Sequence, residues 1–306
     1  MISLEALLLL TISSSIPLIL ASLGGVISER SGVTNIGIEG MILTGAFTAV
    51  VTTHFTSSPI LGAIGGMVGG GLVALLHAFI SITCGGPQAV SATGIILFAT
   101  GFTSFGNRFI FGRAGTSDTV ANMPSTDIFE KVPIIGDFLS NFSPIAYLTI
   151  IIAIFVWYLF KHTSLGYRIH SVGENPKVAE TLGIDVWRLR YLCVITGGVL
   201  AGLAGAYLSV GQLGVFQEEM SAGRGFLALA AVILGGWSPL RTVLACLFFS
   251  FFEGLQLQLQ TVNWIEVSPV ILSAMPYIVC IMVLAFSKGK SKSPTSIGVP
   301  YLKRIN

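Results

Sequence analysis

The sequence predicts an all-α polytopic membrane protein with about eight full transmembrane helices plus one or two broken or re-entrant helices. Three observations carry this. Of 306 residues, 53% are hydrophobic and only 10% charged, where a soluble domain carries roughly a quarter charged. Mean hydropathy is +0.85. Apolar runs of about 20 residues, the length that crosses a hydrocarbon core of about 30 Å, recur from end to end. The runs are continuous, not ten-residue alternating segments, which argues against a β-barrel.

Taken in order, the expected spans are Ile2–Ile27, Ile36–His54, Ile60–Cys84, Gln88–Asn107, Pro144–Phe160, Tyr191–Val210, Thr242–Leu259 and Pro269–Phe286. The first has no basic n-region and reads as a retained helix, not a cleaved signal. The apolar piece FLALAAVILGGW, Phe226 to Trp237, is too short to cross alone and reads as a half-helix or re-entrant segment.

Polar stretches set the expected topology. Residues 161–190 (Lys161, Arg168, Lys177, Arg188, Arg190) and the basic tail 288–306 (Lys288, Lys290, Lys292, Lys303, Arg304) belong in the cytoplasm by the positive-inside rule. Loop 108–143 balances Arg108, Arg113 and Lys131 against Asp118, Asp127, Glu130 and Asp137, and fits outside. The chain from Tyr191 to the tail must then cross an even number of times. Either the short piece at 226–237 completes a fourth crossing with its flanks, or one span is misplaced. Residues 1–287 form one transmembrane domain.

Composition also narrows function. Net charge is +2, and no basic cluster with interleaved aromatics points to nucleic acid. Cys84, Cys193, Cys246 and Cys280 have no ligand spacing and read as small buried hydrophobes. His54, His77, His162 and His170 are scattered, and no Walker loop, GxSxG or HExxH occurs. The chain therefore reads as a non-enzyme with no cofactor or metal of its own.

The polar residues inside apolar runs matter more, because they are costly in hydrocarbon. Asn35 and Glu39 share a helical face at i, i+4. Asn107 and Arg108 end a span, and Arg224 precedes the short segment. Glu253 and Gln256 share a face, with Gln258 and Gln260 beyond. For Glu39 and Glu253 two readings stand: a pathway or subunit contact, or an internally satisfied hydrogen bond. The glycine clusters at 62–71, 196–207 and 234–236 read as close helix packing. A glycine-led lead-in to an apolar segment occurs at Gly32–Phe47 and again at Gly223–Gly236.

In the stretch Thr163–Trp187, Asn175-Pro176 reads as a helix start and Gly183 as its C-terminal cap. Val178, Ala179 and Leu182 form a short apolar stripe. It fits a helix lying on its own bundle or a plug for a groove on another protein.

TSLGYRIHSVGENPKVAETLGIDVWRLRY (163–191) resembles the cytoplasmic loop of ABC importer permeases of the branched-chain amino acid, ribose and nucleoside family, most closely its nucleoside and simple-sugar branch. CVITGGVLAGLAGAYLSVG resembles that family's small-residue helix. GRGFLALAAVILGGWSPLRTVLACLFF (223–249) resembles its short helix and Gly-Gly-x-x-Pro break, and SERSGVTNIGIEGMILTGAF (28–47) its N-terminal motif, with Asn35, Gly37, Glu39 and Gly40 in place. Arg241 departs from the glycine expected shortly after Pro239.

The resemblance implies the permease subunit of an importer in the bacterial cytoplasmic membrane, moving a nucleoside by alternating access, with a sugar, riboflavin or branched-chain amino acid as alternatives. It implies a cytoplasmic ATPase that hydrolyses the ATP, a second and different permease chain, and an extracytoplasmic binding protein or lipoprotein. Coupling to the ATPase would fall to Gly173, Glu174, Asn175, Pro176, Val178, Ala179, Leu182 and Gly183. Asn35, Glu39, Thr93, Asn107, Gly225 and Phe226 are the expected pathway residues. A carrier or channel without an ATPase is the rival from a different class.

Overall fold

The structure, a computed structural model, describes residues 4–124, 140–260, 272–286 and 293–301. Eleven helices are used below: α1 (Leu4–Arg30), α2 (Ile38–Thr56), α3 (Pro59–Ala78), α4 (Gln88–Phe111), α5 (Pro144–His162), α6 (Ser164–Glu174), α7 (Pro176–Thr181), α8 (Val186–Ala206), α9 (Arg224–Leu234), α10 (Pro239–Gln260) and α11 (Met275–Phe286). Helices α3 and α8 continue into wider π-helical turns, Phe79–Thr83 and Tyr207–Leu213. Among the described residues no strand forms beyond one isolated bridge, Thr116 to Gln217.

Among the described residues seven helices are long and apolar enough to cross a membrane: α1 to α5, α8 and α10, with α3 and α8 counted through their π turns. The eighth expected span, Pro269–Phe286, begins outside the described residues and appears as the 12-residue α11.

Helix α8 sits at the centre, packed on α1, α2 and α3. Small residues make this possible. A Cβ on Gly202 would lie 2.2 Å from the Gly66 carbonyl oxygen, and one on Gly24 2.5 Å from that of Gly197. Backbones touch there, which is how helices gain attraction when lipid is as apolar as leucine. The outer faces are apolar: Leu97, Phe98, Phe105 and Phe109 on α4, and Ile150, Ile154 and Phe155 on α5, all stand exposed.

Helix α9 and the segment before it lie between the two ends of the bundle. Its C-terminal end meets the end of α1, where Arg30 Nε donates to the Trp237 carbonyl (2.9 Å). Its N-terminal end lies inside the bundle against Glu39 and Glu253. The preceding segment reaches there past Phe216, a buried ring 5.3 Å from that of Phe47 on α2. That segment pairs with loop 112–123 from the end of α4: Val120 N donates to Gly214 O (2.7 Å) and Ser117 N to Phe216 O (2.9 Å). The later part of loop 108–143, with Asp127, Glu130, Lys131 and Asp137, lies outside the described residues, as do Lys288, Lys290, Lys292, Lys303 and Arg304 of the tail.

Candidate functional site

Two sites emerge, one inside the bundle and one at the end where α1 and α8 meet α6 and α7.

The inner site is the N-terminus of the half-helix α9. A helix start leaves N–H groups without partners and carries partial positive charge. Buried Glu39 fills that role: its carboxylate accepts from Gly223 N (2.7 Å) and Gly225 N (2.6 Å). Gly225 allows the approach, since a Cβ there would sit 2.5 Å from Glu39 N. Arg224 then turns aside to Glu253 on α10, with 2.5 Å between Nη2 and Oε1. Tyr277 on α11 donates to the Ala222 carbonyl (2.5 Å). A cavity of about 230 Å³ opens here, lined by Arg224, Leu227, Glu253, Gln256 and Tyr277 among others. Two buried polar atoms of its lining residues, Arg224 Nε and Glu253 Oε2, have no hydrogen-bond partner among the described residues.

The expected pathway residues fall in three places. Glu39 and Gly225 are in contact, and Asn35 lies one turn before Glu39, fully buried, with its Oδ1 unpartnered. Phe226 is 47% exposed on α9. Thr93 stands on the exposed face of α4, its hydroxyl donating back to Ala89 O (3.0 Å). Asn107 is buried on the same helix, about 21 Å further along at 1.5 Å per residue, with Nδ2 donating to Arg113 O (3.4 Å). Glu39 and Glu253 are thus internally bonded. Tyr277 is the participant that sequence reasoning missed.

The second site is built around α7. Asn175 separates it from α6: its side chain accepts from Val178 N (3.2 Å), and Pro176 opens the new helix. The helix start expected at Asn175-Pro176 is where α7 begins, with Gly173 and Glu174 ending α6. Gly183 closes α7 at φ +81°. The expected stripe divides. Val178 (53%) and Leu182 (73%) point outward, whereas Ala179 (1%) is packed inward. Val178 and Leu182 lie about 40° apart around the helix axis and Ala179 about 100° from Val178, at the edge of the stripe that meets the bundle.

Residues 293–301 strap this element to the bundle. Ser296 donates through N (2.9 Å) and Oγ (2.6 Å) to the Gly173 carbonyl, and Thr295 donates to Glu174 (2.6 Å). The Tyr301 hydroxyl bonds Glu180 on α7, and Trp187 Nε1 donates to Tyr301 O (3.3 Å). Burial and the Glu180 carboxylate push the Tyr301 hydroxyl up to about 12, against the opposing pull of Arg190. Fully buried Arg190 is the hub, donating to Ser31 O (3.1 Å), Val299 O (3.3 Å) and Ser296 Oγ (3.3 Å). A buried cation without a carboxylate is tolerated when its N–H fork is met by oxygens. Gly173 touches the end of α1, where a Cβ would lie 2.0 Å from Arg30 O.

Comparisons follow the same lines. The model of the family described as "Branched-chain amino acid transport system / permease component" matches residues 7–284. The chain is 37% identical to the guanosine ABC transporter permease protein NupQ of Bacillus subtilis, over 96% of this chain and 95% of that one. It is 36% identical to the nucleoside ABC transporter permease protein NupC of Lactococcus lactis, over 94% of each. A second Lactococcus lactis nucleoside ABC transporter permease protein, NupB, is 26% identical over 79% of this chain and 70% of that one.

Proposed function

Since the chain belongs to the permease component family of the branched-chain amino acid transport system, and so is a multi-pass permease subunit of an ABC transporter, we propose that it imports a nucleoside across the cytoplasmic membrane. The single observation that carries the cargo is its 37% and 36% identity, over nearly the full chain, to permeases named for guanosine and nucleosides.

The chain's own residues divide the work. Val178 and Leu182 offer exposed apolar side chains on a short helix that three connections hold rigidly: the Asn175 cap, the Tyr301–Glu180 bond and the Arg190 hub. Such a knob fits an apolar groove on a cytoplasmic ATPase, which binds and hydrolyses the ATP. Movement there passes through Gly173 and Glu174 to the end of α1, and from Trp237 into α9. Glu39 and the Arg224–Glu253 pair sit at the other end of α9, so a shift of α9 alters the cavity beside them. Exposed Phe226 offers a ring face to a base. Its exposure on α9 leaves that ring on a side open to a second permease, with which the pathway is shared.

That second permease is a different chain. Two distinct Lactococcus lactis nucleoside permeases both resemble this one, at 36% and 26% identity, which supports a heterodimer. An extracytoplasmic binding protein or lipoprotein delivers the cargo.

Co-purification in mild detergent, with the accompanying chains identified by mass, followed by ATPase assay with guanosine, adenosine, cytidine and ribose, tests the reading. An ATPase and a second permease that co-purify, with hydrolysis stimulated by nucleosides, support it. Stimulation by ribose alone would overturn the cargo. Purification as a stable homo-oligomer without an ATPase would overturn the importer.

A further inference from the structure

Two cavities adjoin at Trp157 of α5 and Pro239 of α10. The first, about 270 Å³, lies at the α6 end of the bundle and is lined by Arg30, Lys161, His170, Trp157, Tyr167 and Trp237 among others. The second, about 430 Å³, runs along the outer face of the bundle: Ile150, Ala153 and Ile154 of α5 form one wall, Leu240 and Val243 of α10 the other, with Ile19 of α1 at the base. Both include Trp157 and Pro239. The two are one groove, polar and basic at its mouth and apolar along its length.

The dimensions fit one class of ligand. From Lys161 to Thr149 is twelve residues of helix, about 18 Å at 1.5 Å per residue. One leaflet of the hydrocarbon core is about 15 Å deep. The groove therefore runs from the membrane surface to near the midplane, the reach of an acyl chain. At its mouth the side chains are cationic and aromatic. Lys161 Nζ lies 5.1 Å above the Trp157 ring. Arg30 uses Nε on the Trp237 carbonyl (2.9 Å) and sets Nη1 3.2 Å from His170 Nδ1, so the rest of its five-donor fork is available to an anion. The nearby acids are Glu174, 3.9 Å from His170, and buried Glu29, which accepts from Trp237 Nε1 (2.6 Å); both lie outside the lining. Basic pockets between transmembrane helices at the cytoplasmic side are where anionic headgroups bind, and tryptophan favours that depth.

We propose that this groove is a binding site for one anionic glycerophospholipid, with its phosphate at Arg30 and Lys161 and an acyl chain between α5 and α10. The lipid seals the seam beside Trp237, where α9 breaks into α10. It thus touches the joint through which α9 moves. The site depends on the importer reading only for which leaflet supplies the lipid.

The test uses the complex co-purified from native membranes, exchanged into nanodiscs of phosphatidylglycerol or of phosphatidylcholine, and then into detergent for native mass spectrometry. One phosphatidylglycerol retained per copy, with phosphatidylcholine lost, is expected. Lys161→Gln should lower retention about fivefold, the effect of roughly one surface cation on an anionic lipid. Ile154→Trp, a lipid-facing change that fills the groove, should abolish retention with subunit composition unchanged. Equal retention of both lipids, or indifference to both variants, would overturn the site. Displacement of the lipid by excess inorganic phosphate would assign the mouth to a free anion instead. Cross-linking of an Ile154→Cys variant to the second permease would show a protein occupant and overturn the lipid site. Loss of the ATPase from the preparation would count against the importer and leave the lipid readout standing.

Discussion

Arg224 and Glu253 approach to 2.5 Å across the gap between the half-helix α9 and the long helix α10, with the Arg224 Nε and Glu253 Oε2 atoms left over. The pair pins the tip of α9 at a point where neither charge is fully buried (23% and 12% exposed). Removing one partner strands the other. Arg224→Met and Glu253→Leu are each expected to destabilise by roughly 3–5 kcal/mol, and the double variant by less than either. A double-mutant cycle on thermal unfolding in detergent reads this directly. Additive losses would show that the two charges do not depend on each other.

Glu39 should prove structural as well as functional. Glu39→Gln keeps the shape and loses the charge that the α9 N-terminus favours, at a cost of about 1–2 kcal/mol. The melting temperature should fall, and uptake should fall with it. An unchanged melting temperature would argue that the helix start needs no anion.

Exposed residues of α7 separate coupling from folding. Val178→Asp with Leu182→Asp should leave membrane insertion and melting temperature intact and abolish cargo-stimulated ATP hydrolysis, because a carboxylate does not enter an apolar groove cheaply. Ala179→Asp buries its charge within the chain and should lower the melting temperature itself. Normal stimulation in the Val178 and Leu182 variant would remove α7 from the ATPase contact.

Phe226→Ala should weaken uptake of ring-bearing nucleosides by about tenfold, the loss of one stacking contact of roughly 1.4 kcal/mol, while the subunits still co-purify. Equal uptake by variant and parent would take Phe226 out of the pathway.

The Tyr301 strap carries a pH signature. Its hydroxyl is raised in the folded protein from 10.0 to about 12, so the unfolded chain ionises first as pH rises. The stability it contributes is therefore whole below pH 10 and lost between about 10 and 12. Tyr301→Phe should flatten the alkaline decline in melting temperature over that window. An identical decline in the variant would exclude Tyr301 as its source.

The spans were legible because apolar length is a local property. Their ends were less so. Helix α8 starts at Val186, five residues before the expected Tyr191, because Asp185 caps it by accepting from Arg188 N (3.1 Å) and Arg190 is buried instead of marking a border. That burial depends on carbonyls from Ser31 and Val299, and backbone acceptors leave no mark in a sequence. The inner site was half legible for a related reason. Glu39, Arg224 and Glu253 stood out as charges in apolar chain, but the bond from Gly223 to Glu39 joins residues 184 apart. The stripe of Val178, Ala179 and Leu182 was legible, but which of its edges meets the bundle is set by tertiary packing: Ala179 is buried while Val178 and Leu182 stand exposed.

The strap also imposes an order of events on synthesis. Ser296 and the Gly173 it holds are 123 residues apart in the chain. At about 5–20 residues per second the ribosome needs roughly 6–25 s to travel between them. During that interval α6 and α7 have been made but lack the Ser296, Tyr301 and Val299 contacts that fix their platform. A partner that recognises the rigid platform would therefore bind finished chains in preference to nascent ones, a checkpoint in time set by where the strap lies in the sequence.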